Sequence, residues 1–123
     1  MLKDSPHKFV YNFFKFLEKE KGTKTPLRVK FLYAPEEIAD EDLNVEGDLD
    51  LAYTSITSIP DNLQVGGSLD LEVTRITSLP DNLQVGEDLY ISNTPLDEEY
   101  SEKEIRKMIE DTGGYVKGKI YVG

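Results

Sequence analysis

The 123-residue chain has no cysteine. That excludes a disulfide framework and any thiolate chemistry, and it is compatible with a reducing compartment. Histidine occurs once, as His7 beside Pro6 at the start of a helical stretch, where it reads as a surface residue. Neither a Ser/His/Asp nor a Cys/His set can be assembled, so no catalytic residue is assigned. No apolar run approaches the roughly 20 residues of a membrane span, and the N-terminal stretch has no apolar core followed by a small-residue cleavage site. A cytoplasmic protein with no membrane partner is the expectation. Positive charge is scarce where the sequence is most regular: residues 33–100 hold one basic residue, Arg75, against seventeen acids. Residues 1–32 hold eight Lys/Arg against three acids, and residues 101–123 five against four. The net charge of −10 argues against a direct nucleic-acid ligand and for solubility or a basic protein partner.

What the chain does have is a tandem repeat. Leu49-Asp-Leu-Ala-Tyr-Thr-Ser-Ile-Thr-Ser-Ile-Pro-Asp-Asn-Leu-Gln-Val-Gly returns from Leu69, and Leu49, Leu69 and Leu89 are spaced by 20 residues. A fixed period of this length marks a stack of short units, each unable to bury its apolar face alone. The copies run Leu43–Asn62, Leu63–Asn82 and from Leu83, with departure after Thr94. Val65–Leu71 alternates with period two and predicts a strand. Pro60 and Pro80 exclude a long helix from the remainder of each copy. Val45, Leu49, Leu51, Ile56, Ile59 and Leu63 share one interior with Val65, Leu69, Leu71, Ile76, Leu79 and Leu83. Thr54, Thr74 and Thr94 recur where the strand ends, positioned to hydrogen-bond the turn backbone. Asp61-Asn62 and Asp81-Asn82 are turn residues.

The flanks read as caps. Ser5-Pro6 starts a helix, with Phe9, Val10, Phe13, Phe14 and Leu17 at helical spacing and Lys19, Lys21 and Gly22 closing it. That stripe is expected to pack over the open end of the repeat array, with an exposed docking helix as the alternative. Leu27, Val29, Phe31 and Tyr33 alternate and predict a strand. Ser101 and Glu104 form a capping box ahead of Ile105, Met108 and Ile109, stopped by Gly113-Gly114. In Tyr115–Val122, Val116, Gly118, Ile120 and Val122 match Val65, Gly67, Leu69 and Leu71, which makes a fourth strand copy. The organisation expected is a single domain, 1–123: capping helix 1–24, capping strand and turn 25–42, repeats 43–96, and helix with last strand 97–123.

Leu69-x-Leu71-x-x-Thr74-x-Ile76-x-x-Leu79-Pro80-x-x-Leu83 resembles the short, 20-residue bacterial-type leucine-rich repeat of secreted effectors. It is closer still to Val-Gly-Gly-x-Leu-x-Leu-x-x-Thr-x-Ile repeats of phage and viral proteins. The resemblance covers about residues 43–96 and the strand at 116–122. Thr stands at the corner where that class has Asn, and Gly66 replaces a leucine, so a tighter rung is expected, with a flat stack and a curved horseshoe both open. The fold class implied is α+β: a short leucine-rich-repeat-like β-solenoid of parallel strands, capped by an N-terminal helix and a C-terminal helix-strand.

If Leu-x-Leu points inward, Asp48, Asp50, Asp70, Glu72, Asp88, Tyr90 and Tyr121 point out on the strand face and are the candidate binding residues. Stacking brings Asp50 beside Asp70, and adjacent like charges are destabilising unless solvated or neutralised by a partner. Tyrosine amid charge is typical of binding hot spots. The acids lack the dense Asp/Gly spacing of calcium repeats, so no metal and no cofactor is assigned. Paired carboxylates can act as acid and base, but the sequence offers no cleft that excludes water. The function expected is a non-enzymatic protein–protein interaction module, a monomer, whose acidic face meets a basic protein surface. A phage-encoded inhibitor of a host defence protein, acting in the host cytoplasm, is the concrete form. The alternative is a virion or assembly component docking through its N-terminal helix.

Overall fold

A 20-residue unit with glycine at its bend and aliphatic residues on both sides can satisfy its backbone only through the next copy. The structure, a computed structural model, describes residues 6–123, with side chains described from Phe9 onward. The Ser5 cap and the surface placement of the His7 side chain lie outside the described residues. The chain divides into two compact units, Met1–Ala39 and Asp40–Gly123.

In the first unit, helix α1 spans Pro6–Lys21. It ends at Gly22, whose φ of +71° is left-handed and whose N–H returns to Glu18 O at 3.1 Å. Glycine takes that conformation without a Cβ clash. Residues Leu27–Tyr33 form a second helix, α2, and not the strand expected from their alternation. Seven residues cannot separate the two periods. A strand here would also need a pairing partner, whereas a helical turn satisfies its own backbone. Pro26 O accepts from Val29 N–H at 3.0 Å and Lys30 N–H at 3.2 Å, and Ala34 N–H returns to Lys30 O at 2.9 Å. A 3₁₀ turn, Pro35–Glu37, follows. Tyr11, Val29 and Ala34 form the small core, with Phe14 and Tyr33 packed against it. The aromatic stripe is therefore not buried as one face. Phe9, Val10, Phe13 and Phe16 are exposed, Phe14 and Leu17 are half-buried, and among the described α1 side chains the one that is buried is Tyr11. Two polar links tie α1 to the 3₁₀ turn, Tyr11 donating to Glu37 and Lys15 reaching Glu37 at 3.3 Å, while Lys15 also pairs with Glu18 within α1 at 2.9 Å.

In the second unit each copy contributes two short strands. These are β1 Asn44–Val45 and β2 Leu49–Asp50, β3 Gln64–Val65 and β4 Leu69–Asp70, and β5 Gln84–Val85 and β6 Leu89–Tyr90. The last pair is β7 Tyr115–Val116 and β8 Ile120–Tyr121. They form two parallel four-stranded sheets, β1-β3-β5-β7 and β2-β4-β6-β8, and neither closes into a barrel. Val45, Val65, Val85 and Val116 are in register, as are Leu49, Leu69, Leu89 and Ile120. Asp40–Leu43 is a 3₁₀ turn leading into β1. The fold class is α+β.

The continuous strand expected over Val65–Leu71 is broken in two by a bend at Gly66–Ser68. Backbones pass too closely at this bend for side chains: a Cβ on Gly66 would lie 2.5 Å from Glu46 O, and one on Gly86 2.2 Å from Gly66 O. After the second strand the chain turns through a left-handed residue, Tyr53, Val73 or Asn93, with φ of +60°, +53° and +60°. The next residue is the recurring threonine. Thr54, Thr74 and Thr94 each donate their hydroxyl to the carbonyl three residues back, at 2.8, 2.8 and 2.9 Å. Asn62 and Asn82 make a second left-handed corner, which asparagine tolerates better than most residues.

Leu51, Leu63, Leu69, Leu71, Ile76, Leu83, Leu89 and Ile91 are fully buried between the sheets and the return segments. Each contributes about 1.5–3 kcal/mol, so the copies hold one another chiefly by this column. Leu79 and Val45, expected inside, are half-buried. Two helices interrupt the period before the last copy. In α3, Pro95–Glu99, Thr94 caps through Asp97 N–H at 3.0 Å. In α4, Glu102–Asp111, Ser101 and Glu104 complete the capping box. Ile105 and Ile109 of α4 are buried.

Candidate functional site

The β2-β4-β6-β8 sheet aligns one outward column. Asp50 pairs with Asp70, Asp70 with Tyr90, and Tyr90 with Tyr121. The two tyrosine rings stack with centroids 4.7 Å apart and planes within 7°. Glu72 lies two residues beyond Asp70 and is half-buried. Its carboxyl is pushed above the usual glutamate range, first by burial and then by the charges of Asp70 and Asp50. Burial, followed by the charges of Asp88, Tyr121, Asp70 and Glu72, raises the Tyr90 phenol as well. The column therefore holds like charge closer than water alone would favour.

The carboxylates differ in what holds them. Asp50 Oδ1 accepts from Ala52 N–H and Asp70 Oδ1 from Glu72 N–H, both at 3.0 Å. Each folds back on the turn that leads to the left-handed residue, an arrangement aspartate favours. Tyr90, at the same position of the third copy, cannot make that bond. Asp48 and Asp88 have a different task. Asp48 Oδ1 accepts from Ser68 N–H at 2.7 Å, and Asp88 Oδ1 accepts from Lys119 N–H at 2.8 Å. Between them, Ser68 Oγ accepts from Asp88 N–H at 3.2 Å. At this position the side chain of each copy thus bonds to the backbone of the following copy.

This series explains a feature of the sequence. The residue above each aspartate is glycine: a Cβ on Gly67 would sit 2.1 Å from Asp48 Oδ1, and one on Gly118 2.1 Å from Asp88 Oδ1. Where the lower residue is the smaller Ser68, the residue above is Glu87. The signal was present in the sequence as a coupled exchange, Asp with Gly and Ser with Glu, between positions 19 or 30 apart. Ser68, which joins Asp48 to Asp88, was not among the candidates read from the sequence.

Of the seven candidates, the sheet brings Asp50, Asp70, Tyr90 and Tyr121 together in one column, with Glu72 at its edge. Asp48 and Asp88 sit on the neighbouring bend, each with one oxygen committed to backbone. A separate depression of about 280 Å³ is lined by Asp40, Leu43, Asn44, Asn62 and Gln64. Its one carboxylate and three amides can hydrogen-bond a ligand but do not pair a nucleophile with a base. Among the described residues no helix is long and apolar enough to cross a membrane. Comparison with protein-family models, with curated proteins and with solved structures found no match.

Proposed function

We propose that residues 43–122 are a short leucine-rich-repeat-like solenoid. On this reading the chain is a non-enzymatic interaction module whose ligand is a protein with a basic surface. The observation that carries the reading is the column itself. Asp50 and Asp70 are held in register on adjacent strands beside Glu72, whose carboxyl is pushed up first by burial and then by their charges, and next to stacked tyrosines. A basic side chain entering here would relieve repulsion within the fold and gain charge-assisted hydrogen bonds. Tyr90 and Tyr121 would add a rigid, amphipathic contact at low entropic cost. Electrostatic steering toward such a face speeds encounter and weakens with salt. The resemblance of the repeat to phage and viral proteins supports an inhibitor that covers a basic groove of a host defence protein.

Capture from a host lysate tests this, using wild type and Asp50→Asn/Asp70→Asn/Glu72→Gln as baits at low and high salt. The amides keep the turn hydrogen bonds and remove the charge. A protein retained by wild type, and lost both on the variant and at high salt, supports the reading. Identical capture by the two baits sinks it. A second reading has its own observation: Phe9, Phe13 and Phe16 are exposed at helical spacing on α1. It makes the chain an assembly component docking through that helix, and it predicts loss of capture on Phe13→Asp/Phe16→Asp instead.

A further inference from the structure

Where the short strands end, the hydrogen bonds between copies favour one direction in each sheet, and the two ends of the stack are complementary there. In the β1-β3-β5-β7 sheet later copies donate to the copy before them at the strand start, Gln84 to Leu63 O at 3.0 Å and Tyr115 to Leu83 O at 2.8 Å, and in two further series at the bend. The first series is Gly66 to Val45 O at 2.8 Å, Gly86 to Val65 O at 2.8 Å and Lys117 to Val85 O at 3.0 Å. The second is Gly67 to Gly47 O at 3.0 Å, Glu87 to Gly67 O at 3.0 Å and Gly118 to Glu87 O at 2.8 Å. Continued by one copy, the two series would end on Val116 O and Gly118 O. Arg106 of α4 takes both places: Nη1 donates to Val116 O at 2.8 Å and Nη2 to Gly118 O at 2.9 Å. Its neighbour Ile105, and Ile109 one turn on, are buried and hold α4 in position.

We propose that Arg106 is an edge plug: its guanidinium stands in for the two backbone N–H groups that a next copy would donate at the bend and so guards the last edge of this sheet against a second copy of this chain. The first copy of a second chain is the occupant that fits. Glu46 and Gly47 occupy the positions of Gly66 and Gly67, so their N–H groups point away from β3, toward where a preceding copy would lie. In the other sheet the direction is reversed. Leu49 donates to Ser68 O, Leu69 to Asp88 O and Leu89 to Lys119 O, each at 2.9 Å. At these positions the first copy presents carbonyls and the last presents N–H groups. Charge matches as well: Lys117 and Lys119 mark the last copy, and Glu46, Asp48 and Asp50 the first. Such a contact is head-to-tail, does not close on itself and would grow into a line of chains. Unguarded strand edges invite this pairing. A planar guanidinium can span two carbonyls, which an ammonium point charge does poorly.

Sedimentation velocity over a concentration series tests the plug. Arg106→Met keeps an unbranched apolar stem and removes the fork. It should sediment faster with rising concentration, past a dimer, while wild type does not change under the same conditions. Adding Glu46→Pro removes one N–H that the partner chain's first copy must offer, and should restore wild-type sedimentation. A folded Arg106→Met, checked by circular dichroism, that sediments as wild type at every concentration overturns the proposal. Association that Glu46→Pro does not reverse overturns it too, since that would be general stickiness. Should Arg106→Met lose the fold, Arg106→Gln, whose polar head is too short to span both carbonyls, takes its place under the same criteria.

Discussion

Replacing Gly67 by alanine puts a methyl group where Asp48 now bonds to the next copy. The added Cβ would lie 2.1 Å from Asp48 Oδ1 and 3.0 Å from Asp48 N and Gly47 C. The carboxylate must leave, which forfeits its 2.7 Å bond to Ser68 N–H. That bond is charge-assisted but exposed, so its loss costs about 1–2 kcal/mol. The backbone contacts must also open by tenths of an ångström, adding about 1 kcal/mol of overpacking. Gly67→Ala should therefore destabilise Asp40–Gly123 by about 2–3 kcal/mol in total. Asp48→Ser alone should cost about 1 kcal/mol, because a hydroxyl can still accept the N–H, as Ser68 does from Asp88. The double variant copies the natural pair Ser68 and Glu87, in which a Cβ is accommodated. It should cost about 2 kcal/mol, less than the sum of the singles by about 1–2 kcal/mol. Urea unfolding supplies the four free energies, followed by the near-ultraviolet dichroism of the stacked tyrosines Tyr90 and Tyr121, which report on this unit. Additive costs would refute the claim that Asp48 and Gly67 are chosen as a pair.

Val73 holds a φ of +53°, which a β-branched residue adopts only under strain, and its side chain is 40% exposed. Val73→Asn, which copies Asn93 of the next repeat, should raise the melting temperature by a few degrees, corresponding to about 0.5–1 kcal/mol after the lost apolar contact. Glu72 has a folded pKa raised from 4.5, so it stabilises when protonated, and that contribution is lost as pH rises through its folded value. Glu72→Gln should accordingly raise thermal stability at neutral pH and leave it unchanged well below pH 4.5. Glu18 is the opposite case, lowered to about 2, first by the Thr25 side chain, then by Lys15 and by the Thr25 N–H at 2.8 Å. The buried Thr25 hydroxyl makes no hydrogen bond of regular geometry, so the backbone contact and Lys15 are the firmer causes. Glu18 stabilises above pH 4.5, and that contribution is lost as pH falls from 4.5 toward about 2. Tyr11 and Val29 resonances should report a loosening over that window in wild type that is absent in Glu18→Gln.

The repeat was the readable part of this fold. Leucine spacing and the match of Val116, Gly118 and Ile120 to an earlier copy are local patterns, and they correspond to the observed register of β7 and β8. The threonine corners were readable for the same reason, since each hydroxyl bonds within its own copy. Leu27–Tyr33 was misread because seven alternating residues fit either period, and a helix satisfies its own backbone where a strand needs a partner. The stripe on α1 was misread in phase: Tyr11, not Phe9 or Phe13, meets α2 residue Val29 in the core. Asp48 and Asp88 looked equivalent to Asp50 and Asp70 because all four alternate with inward leucines. Their bonds differ because the bend at Gly67 and Gly118 brings the next copy's backbone within reach of only the first pair. Arg106 could not be assigned at all from sequence, because its two acceptors lie ten and twelve residues away on a different element.

The acidic column is tested most directly by the salt dependence of binding to the captured partner. Affinity would be measured over a range of ionic strength for wild type and for Asp50→Asn/Asp70→Asn/Glu72→Gln. The account predicts that wild-type affinity falls steeply as salt rises, and that the variant binds weakly at low salt with a much flatter dependence. Equal affinities and equal slopes for the two proteins would contradict it.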